Sequence, residues 1–174
     1  MDKENLLKSH RRKPLCSVSE LPVQLNYGHR DISRIIPHRE PFLFIDCLTG
    51  VDTAEKVIAG EYFISPELPL FGGHFPEYPV YPGSMQIEAV GQLGLCLVHF
   101  VRNNTSEIRA DAAAPNIRAS SIGGAYFREE VRPGDTMGMI AKVVEYDAYF
   151  GTLLGQTLVN GRVATVALLE VTFL

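Results

Sequence analysis

The sequence predicts an α+β domain in which one long central helix is wrapped by an antiparallel sheet of about five or six strands. Two observations lead to this fold class. Residues 85–101 form the longest apolar stretch and suit a buried helix, and the residues after them show only the pattern of strands and turns. Because the helix is apolar on every side, the sheet has to enclose it rather than support it on one open face.

The composition is that of one globular domain and excludes several other classes. The chain has 174 residues, of which 46% are hydrophobic and 21% charged. A net charge of −4 with scattered basic residues argues against a nucleic-acid surface. The apolar stretch is shorter than the roughly 20 residues of a membrane helix, so we expect no membrane span. Three cysteines, at 16, 47 and 96, and the lack of an apolar leader indicate a cytoplasmic protein.

The chain divides into an arm and a domain. Residues 1–28 are polar, contain prolines at 14 and 22 and show no sustained periodicity, so we interpret them as an N-terminal arm. Residues 29–174 are the single domain, which begins with a short helix at 31–36 behind an aspartate cap. Strands are predicted at 42–47 and 56–63, the second from its alternating pattern.

The long helix and the later strands follow a loop rich in glycine and proline. The helix begins at Pro82 or Gly83, since proline suits a first helical position, and ends near residue 102. Glycines at 91 and 94 each cost about 1 kcal/mol of helix propensity, which indicates close packing there. The Asn160-Gly161 pair predicts a hairpin between the last two strands. The strands predicted after the helix are 115–131, 136–146, 149–159 and 162–173.

The clearest chemical signal lies in the run GGHFPEYPVYPGSMQIEAVGQ, which contains His74 and Glu88. His74 leaves a glycine-rich loop, and Glu88 is a carboxylic acid inside an otherwise apolar helix. An unpaired carboxylate is costly to bury, so two such groups in this order indicate an acid–base site. The competing interpretations are a hydrogen-bonded loop histidine and a buried acid paired with an arginine or a backbone donor.

This run resembles the active-site segment of FabZ-type 3-hydroxyacyl-acyl-carrier-protein dehydratases, which have the hot-dog fold. His74, Pro82, Gly83 and Glu88 match the family motif in identity and spacing. The runs IPHREPFLFID, from residue 36, and AYFREEVRPGD, from residue 125, extend the resemblance to about residues 29–174. The resemblance therefore implies a hot-dog domain built around the long helix.

The resemblance also implies a reaction. A (3R)-3-hydroxyacyl thioester on acyl carrier protein would lose water to give a trans-2-enoyl thioester, in fatty acid synthesis or in a specialised lipid, polyene or polyketide pathway. His74 would be the base for the α-proton and Glu88 the acid for the departing hydroxyl. The N–H of Gly83, at the start of the helix, would bind the thioester oxygen.

Three further residues are expected at the substrate. Gln92 lies one helical turn beyond Glu88 and is expected to position that acid or a water, although a structural amide is an equal alternative. Phe75 and Phe127 are expected to contact the substrate. No cofactor or metal is expected, because no dinucleotide motif and no metal-ligand spacing occurs in the sequence.

The expected partners are acyl carrier protein and a second copy of the chain. Hot-dog dehydratases form their sites across a dimer, so the resemblance implies His74 from one subunit and Glu88 from the other, in a dimer or a trimer of dimers. Arg128 and Arg132 are candidates for docking an acidic carrier protein. However, Glu129 and Glu130 replace the basic residue and proline that usually stand between them.

Two other functions stay open. A hot-dog thioesterase hydrolyses acyl thioesters with a carboxylate and water, and it would not need His74 in this loop. A non-catalytic acyl-binding subunit would not need His74 or Glu88 at all. The presence of both residues in the family spacing favours the dehydratase.

Overall fold

The computed structural model describes residues 2–173, and these residues form three α-helices and seven β-strands. The helices are α1 (Lys3–His10), α2 (His29–Ile35) and α3 (Gly83–Asn103). The strands are β1 (Val23–Gly28), β2 (Cys47–Asp52), β3 (Val57–Phe63), β4 (Ile117–Phe127), β5 (Thr136–Tyr146), β6 (Phe150–Val159) and β7 (Arg162–Phe173). Short 3-10 helices occur at Val18–Glu20 and Pro69–Gly72.

All seven strands belong to one antiparallel sheet in the order β1-β2-β3-β5-β6-β7-β4. The sheet curves around α3, which packs against β3, β5, β6 and β7. The main core fills the space between the helix and the sheet. The observed architecture is the predicted central helix in an antiparallel wrap, with seven strands where the sequence analysis expected five or six.

The close packing predicted from the helix glycines is correct at one of the two positions. A Cβ on Gly94 would lie 3.3 Å from Cγ of Leu153 in β6. Gly155 of β6 is equally close to the helix, since a Cβ on Gly155 would lie 2.6 Å from Cβ of Val90. Gly91 is different, because its nearest neighbour is Cδ1 of Leu169 at 3.9 Å. Close packing at Gly91 was therefore a wrong prediction, and this glycine lies on the less covered side of the helix.

A buried amide fixes the first turn of α3 to the sheet. Gln86 is 3% exposed, and its Oε1 accepts hydrogen bonds from Thr157 of β6 (2.8 Å) and Thr165 of β7 (2.7 Å). Both threonine side chains are buried. These polar groups satisfy one another inside the core, and each bond therefore favours a single placement of the helix start.

The prediction of a strand at 42–47 was wrong. Residues 42–46 are irregular, and the strand β2 begins only at Cys47. The backbone of Phe42 and Phe44 bonds to the side chain of Gln92 instead of to a neighbouring strand. The strands predicted at 56–63, 115–131, 136–146, 149–159 and 162–173 all occur, with ends shifted by four residues or fewer.

Residues 1–28, interpreted as an arm, contain α1 and β1. Strand β1, which the sequence did not predict, pairs with β2 at the edge of the sheet. Helix α1 lies on the face of the sheet opposite α3, where Leu7 is 4% exposed against Leu154, Val166 and Leu168. The arm therefore covers the outer face of the sheet.

The side chain of Gln156, in β6, holds the arm by three hydrogen bonds. Its Oε1 accepts from the N–H of Leu15 (2.8 Å), and its Nε2 donates to the carbonyls of His10 and Lys13 (2.9 Å for Lys13). Gln156 is fully buried. We call this group of contacts the Gln156 clamp.

Helix α3 is, within residues 2–173, the one helix long and apolar enough to span a membrane. Most of that stretch is buried inside the protein. Its apolar surface is therefore used within the fold, as in the core helix of a soluble domain.

Replacing Gln156 with alanine is expected to lower the free energy of unfolding by about 3 kcal/mol, because three partly buried hydrogen bonds to the backbone of the arm are lost. Urea denaturation measures the change. The control is Gln24→Ala, which removes an exposed glutamine that bonds to Leu21 and is expected to cost about 0.5 kcal/mol. A loss no larger than the control's would show that the clamp does not stabilise the fold.

Candidate active site

One side of α3 is left uncovered by the sheet and forms a cavity of about 240 Å³. Helix residues Ile87, Glu88 and Leu95 line one wall, and Ile122 and Leu169, from β4 and β7, line another. The lining is mostly apolar, with Glu88 among its few polar groups. An apolar cavity with few polar groups is the usual form of a small-molecule site.

The carboxylate of Glu88 lies at this cavity and is held from one side. Its Oε1 accepts a hydrogen bond from Nε2 of Gln92 at 3.0 Å. Nε2 of His38 lies 3.5 Å from the same oxygen. The side chain of Glu88 is 38% exposed, so a single chain does not provide the burial that the sequence analysis assumed. The other oxygen, Oε2, accepts no hydrogen bond from residues 2–173.

Gln92 is 1% exposed and uses its whole amide in hydrogen bonds. Its Oε1 accepts from the N–H of Phe44 at 2.9 Å, and its Nε2 donates to the carbonyl of Phe42 at 3.1 Å as well as to Glu88. The amide thus joins the irregular segment 42–46 to the carboxylate. Gln92 also lines the cavity, and all of its side-chain hydrogen bonds within residues 2–173 go to Phe42, Phe44 and Glu88.

His38 is a site residue that the sequence analysis did not single out. It lines the cavity beside Glu88, and its Nδ1 is a buried atom without a hydrogen-bond partner among residues 2–173. Burial lowers the pKa of His38, which favours the neutral ring at neutral pH. His38 lies in the run IPHREPFLFID, which carries part of the family resemblance, but no local sequence pattern shows that residue 38 lies beside residue 88.

His74 lies in the loop before α3, with its ring held in one orientation. Nδ1 is 2.8 Å from the carbonyl oxygen of Val80, so Nδ1 carries the proton and donates it to that oxygen. The ring stacks on Phe75, with centroids 4.2 Å apart and planes at 23°. In the neutral ring, Nε2 is then the free acceptor, the form that a general base requires. Phe75 is 52% exposed and shields one face of the imidazole.

The start of α3 presents backbone N–H groups without a side-chain cap. Pro82 is the N-cap residue and forms no capping hydrogen bond, so the first N–H groups of the helix have no helical partner. The ring of Phe127, at the end of β4, covers Gly83 so closely that a Cβ there would lie 2.7 Å from Cδ1 of the ring. Phe127 is itself 58% exposed. Gly83 and Phe127 therefore form one wall at the helix start.

Within residues 2–173 of one chain, no hydrogen bond joins His74 to Glu88, and His74 is not among the residues that line the cavity of Glu88. The structure brings Glu88, Gln92 and His38 together. It places His74 with Phe75 in a separate loop. One chain thus contains two separate groups of candidate residues.

A second contact fixes the loop of His74. The hydroxyl of Tyr78 donates to Oε2 of Glu130 at 2.8 Å, and Arg132 pairs with Glu130 at 2.7 Å while its guanidinium lies over the Tyr78 ring. Glu129 pairs with Arg162 at 2.6 Å. Both glutamates that replace family residues are therefore neutralised by arginines. Arg132, a predicted docking residue, is engaged within the chain.

The described part of the chain, residues 2–173, contains no group of three or more side chains that could hold a metal ion. The candidate acid–base groups are His74, whose Nε2 forms no hydrogen bond within residues 2–173, and Glu88, whose Oε2 forms none either. Chemically, this set can remove a proton from one atom and deliver a proton to another.

The chain is similar to dehydratases in sequence. A FabA-like domain model matches residues 36–167. The FabZ 3-hydroxyacyl-[acyl-carrier-protein] dehydratase of Halalkalibacterium halodurans is 35% identical over 143 residues, which are 82% of this chain and 94% of that protein. The FabZ protein of Campylobacter curvus is 34% identical over 140 residues, with coverage of 80% and 93%.

The chain also shares its fold with solved structures. The dehydratase heterocomplex ApeI:P from Xenorhabdus doucetiae superposes with a TM-score of 0.63 at 15% identity, covering 82% of this chain and 90% of that one. A hypothetical thioesterase with coenzyme A from Streptococcus pneumoniae gives a TM-score of 0.51 at 8% identity, covering 69% and 80%. The predicted hot-dog fold is confirmed.

Replacing Gln92 with leucine is expected to lower the free energy of unfolding by about 3 kcal/mol, because the N–H of Phe44 and the carbonyl of Phe42 lose a buried partner. Hydrogen exchange at the amide of Phe44 is expected to accelerate as well. The matched control is Gln86→Leu, which removes a buried glutamine from the same helix but leaves the Phe44 amide bonded. Equal exchange of Phe44 in the two variants would contradict the role given to Gln92.

Proposed function

Since the chain belongs to the FabA-like family and is a FabZ-type 3-hydroxyacyl-[acyl-carrier-protein] dehydratase, we propose that it converts (3R)-3-hydroxyacyl thioesters on acyl carrier protein to trans-2-enoyl thioesters. This hydro-lyase reaction belongs to fatty acid synthesis or a related specialised lipid pathway. The observation that carries the proposal is that a hydrogen bond orients each of the two acid–base groups and leaves one reactive atom of each without a partner. His74 has a free Nε2, and Glu88 has one oxygen held by Gln92 and one free.

In the proposed mechanism, Nε2 of His74 takes the α-proton of the substrate, and the electrons of that C–H bond form the new C=C bond. The C–O bond to the hydroxyl breaks as Oε2 of Glu88 delivers its proton, and water leaves. Charge that develops on the thioester oxygen is stabilised by the N–H of Gly83. His74 is left protonated and Glu88 ionised, so one proton passes from His74 to Glu88, through water, before the next turnover.

In this proposal, His38 and Gln92 orient the carboxyl group of Glu88 through its oxygen Oε1. Gln92 donates to Oε1, and Nε2 of His38 lies 3.5 Å from the same oxygen, where a proton on Nε2 would give it a second donor. An oxygen that accepts hydrogen bonds is a poor place for a proton, so in this proposal Oε2 is the oxygen that transfers the proton to the leaving hydroxyl. His38 is therefore a positioning residue in this proposal.

The proposed active site is shared between two copies of the chain. Glu88 is 38% exposed in one chain, and β4 ends the sheet as an edge strand with the exposed apolar residues Ile122 and Phe127. A second copy at this edge would cover the cavity and could bring its own His74 to Glu88. We therefore propose a homodimer, alone or in a trimer of dimers. A cytoplasmic location is supported by three cysteines that are all free.

Mixing His74→Ala chains with Glu88→Ala chains is expected to restore about a quarter of wild-type activity, because half of the dimers are mixed and each mixed dimer has one intact site. Each variant alone is expected to be inactive. Native mass spectrometry of an isotope-labelled partner measures how many mixed dimers form. Formation of mixed dimers without recovered activity would rule out the shared site.

Replacing His38 with alanine is expected to lower kcat by about tenfold to a hundredfold with little change in KM, because the acid loses its fixed orientation. His38→Gln keeps a donor near Oε1 and is expected to retain most of the activity. Thermal denaturation serves as the control for folding. If alanine and glutamine reduce kcat equally at unchanged melting temperature, His38 does not act through its donor.

The reaction class is tested by mass spectrometry of one 3-hydroxyacyl group carried on acyl carrier protein and on coenzyme A. Loss of the mass of water is the expected result. Release of the free acid would instead identify the alternative activity, a thioesterase, and no change would identify a non-catalytic acyl-binding subunit. Dehydration that persists in His74→Ala would contradict the mechanism.

A further inference from the structure

Four arginines gather on one surface, two from the arm and two from the sheet side. Arg11, Arg12, Arg128 and Arg162 surround a shallow cavity together with Glu129. We call these four arginines the arginine patch. In the part of the chain that the structure describes, only Arg162 among them forms an ion pair, with Glu129. The patch is therefore a net positive surface on a chain whose formal charge is −4.

The Gln156 clamp fixes the arm's contribution to this patch. Nε2 of Gln156 donates to the carbonyls of His10 and Lys13, which flank Arg11 and Arg12 in the chain. The backbone of both arginines is thus held between two hydrogen bonds to a fully buried side chain. Holding the backbone reduces the conformational entropy that binding a partner would cost.

Contacts with β4 bring the arm's arginines beside those of the sheet. The guanidinium of Arg11 lies 5.8 Å from the centre of the Tyr126 ring, within cation–π distance. Leu7 packs against Gly124, where a Cβ would lie 2.9 Å from its Cδ1. The surface that carries Tyr126 leads directly into Arg128, two residues further along the chain.

The patch adjoins the proposed active site. Arg128 follows Phe127, whose ring covers Gly83 at the start of α3. Adjacent Cα atoms are about 3.8 Å apart, so Arg128 lies next to this wall of the site. Arg132, the other docking candidate from the sequence, is paired with Glu130. Of the two, Arg128 is the one free to meet a partner.

We infer that the arginine patch is the docking surface for an acidic carrier protein and that the N-terminal arm supplies half of it. The inference rests on the proposed function, since it names where the macromolecular part of the substrate binds. Guanidinium groups pair with carboxylates in bidentate geometry, which suits an acidic protein surface. The cavity that the patch surrounds offers no exposed apolar side chain to a membrane, because Val163, the apolar residue that lines it, is buried.

The test uses the full chain and the double variant Arg11→Ala/Arg12→Ala. One 3-hydroxyacyl group is presented on the acyl carrier protein of Halalkalibacterium halodurans and on N-acetylcysteamine, which carries no protein. The variant is expected to lose about tenfold in kcat/KM with the carrier-borne substrate, through KM, and nothing with the small thioester. Added salt is expected to narrow the difference between wild type and variant. The control is Arg30→Ala/Arg109→Ala, which removes two exposed arginines elsewhere.

Two outcomes would overturn the inference. No loss with the carrier-borne substrate shows that the carrier docks elsewhere, and an equal loss with both substrates shows that the arm acts on the site itself. Failure of the proposed function is separate, because then neither thioester loses water in the wild type. In that case calorimetry with the same carrier protein decides, and binding that is equally strong to wild type and variant contradicts the docking surface. The inference is also contradicted if the variant binds the carrier protein as wild type does and loses binding only to anionic phospholipid vesicles or to RNA.

Discussion

Enclosure of the 21-residue helix α3 by a curved sheet is the constraint on which the rest of the structure depends. A sheet can approach a helix this closely only where side chains are small, and Gly94 and Gly155 meet that need at two crossings. The polar groups that remain inside must then find partners in the core, as Gln86 does with two buried threonines. The helix position is therefore set by both packing and hydrogen bonds.

The enclosure is incomplete along one side of the helix, and the candidate chemistry lies there. Glu88 emerges on that side with its carboxylate partly exposed, while Gln92, one turn later, is buried and fully bonded. In the proposed mechanism this difference separates two roles, since the buried amide holds the acid and the partly exposed acid reacts. A site that is open in one chain and apolar around its acid is suited to completion by a second copy.

The sequence predicted the elements whose signals are local. Helix α3 and strands β5 to β7 have clear periodicity, and Asn160-Gly161 marks the last hairpin. Segment 42–46 reads as a strand but is irregular, because the distant amide of Gln92 takes its backbone groups. Strand β1 and the position of His38 were missed for the same reason, since each depends on a partner far away in the chain. The motif located His74 and Glu88, and its family resemblance already implied that they belong to different subunits, in keeping with the lack of a hydrogen bond between them within residues 2–173 of one chain.

Strand β6 links the two surfaces on which the proposed activity depends. Gly155 faces inward against Val90 of α3, Gln156 faces outward and clamps the arm, and Thr157 faces inward again to bond with Gln86. This alternation is the ordinary geometry of a strand. Three consecutive residues of β6 thus hold both helix α3 and the arm against the same strand. Because both are fixed to one strand, the distance from the arginine patch to the start of α3 is set by the fold, and a carrier docked on the patch would present its thioester at a constant place.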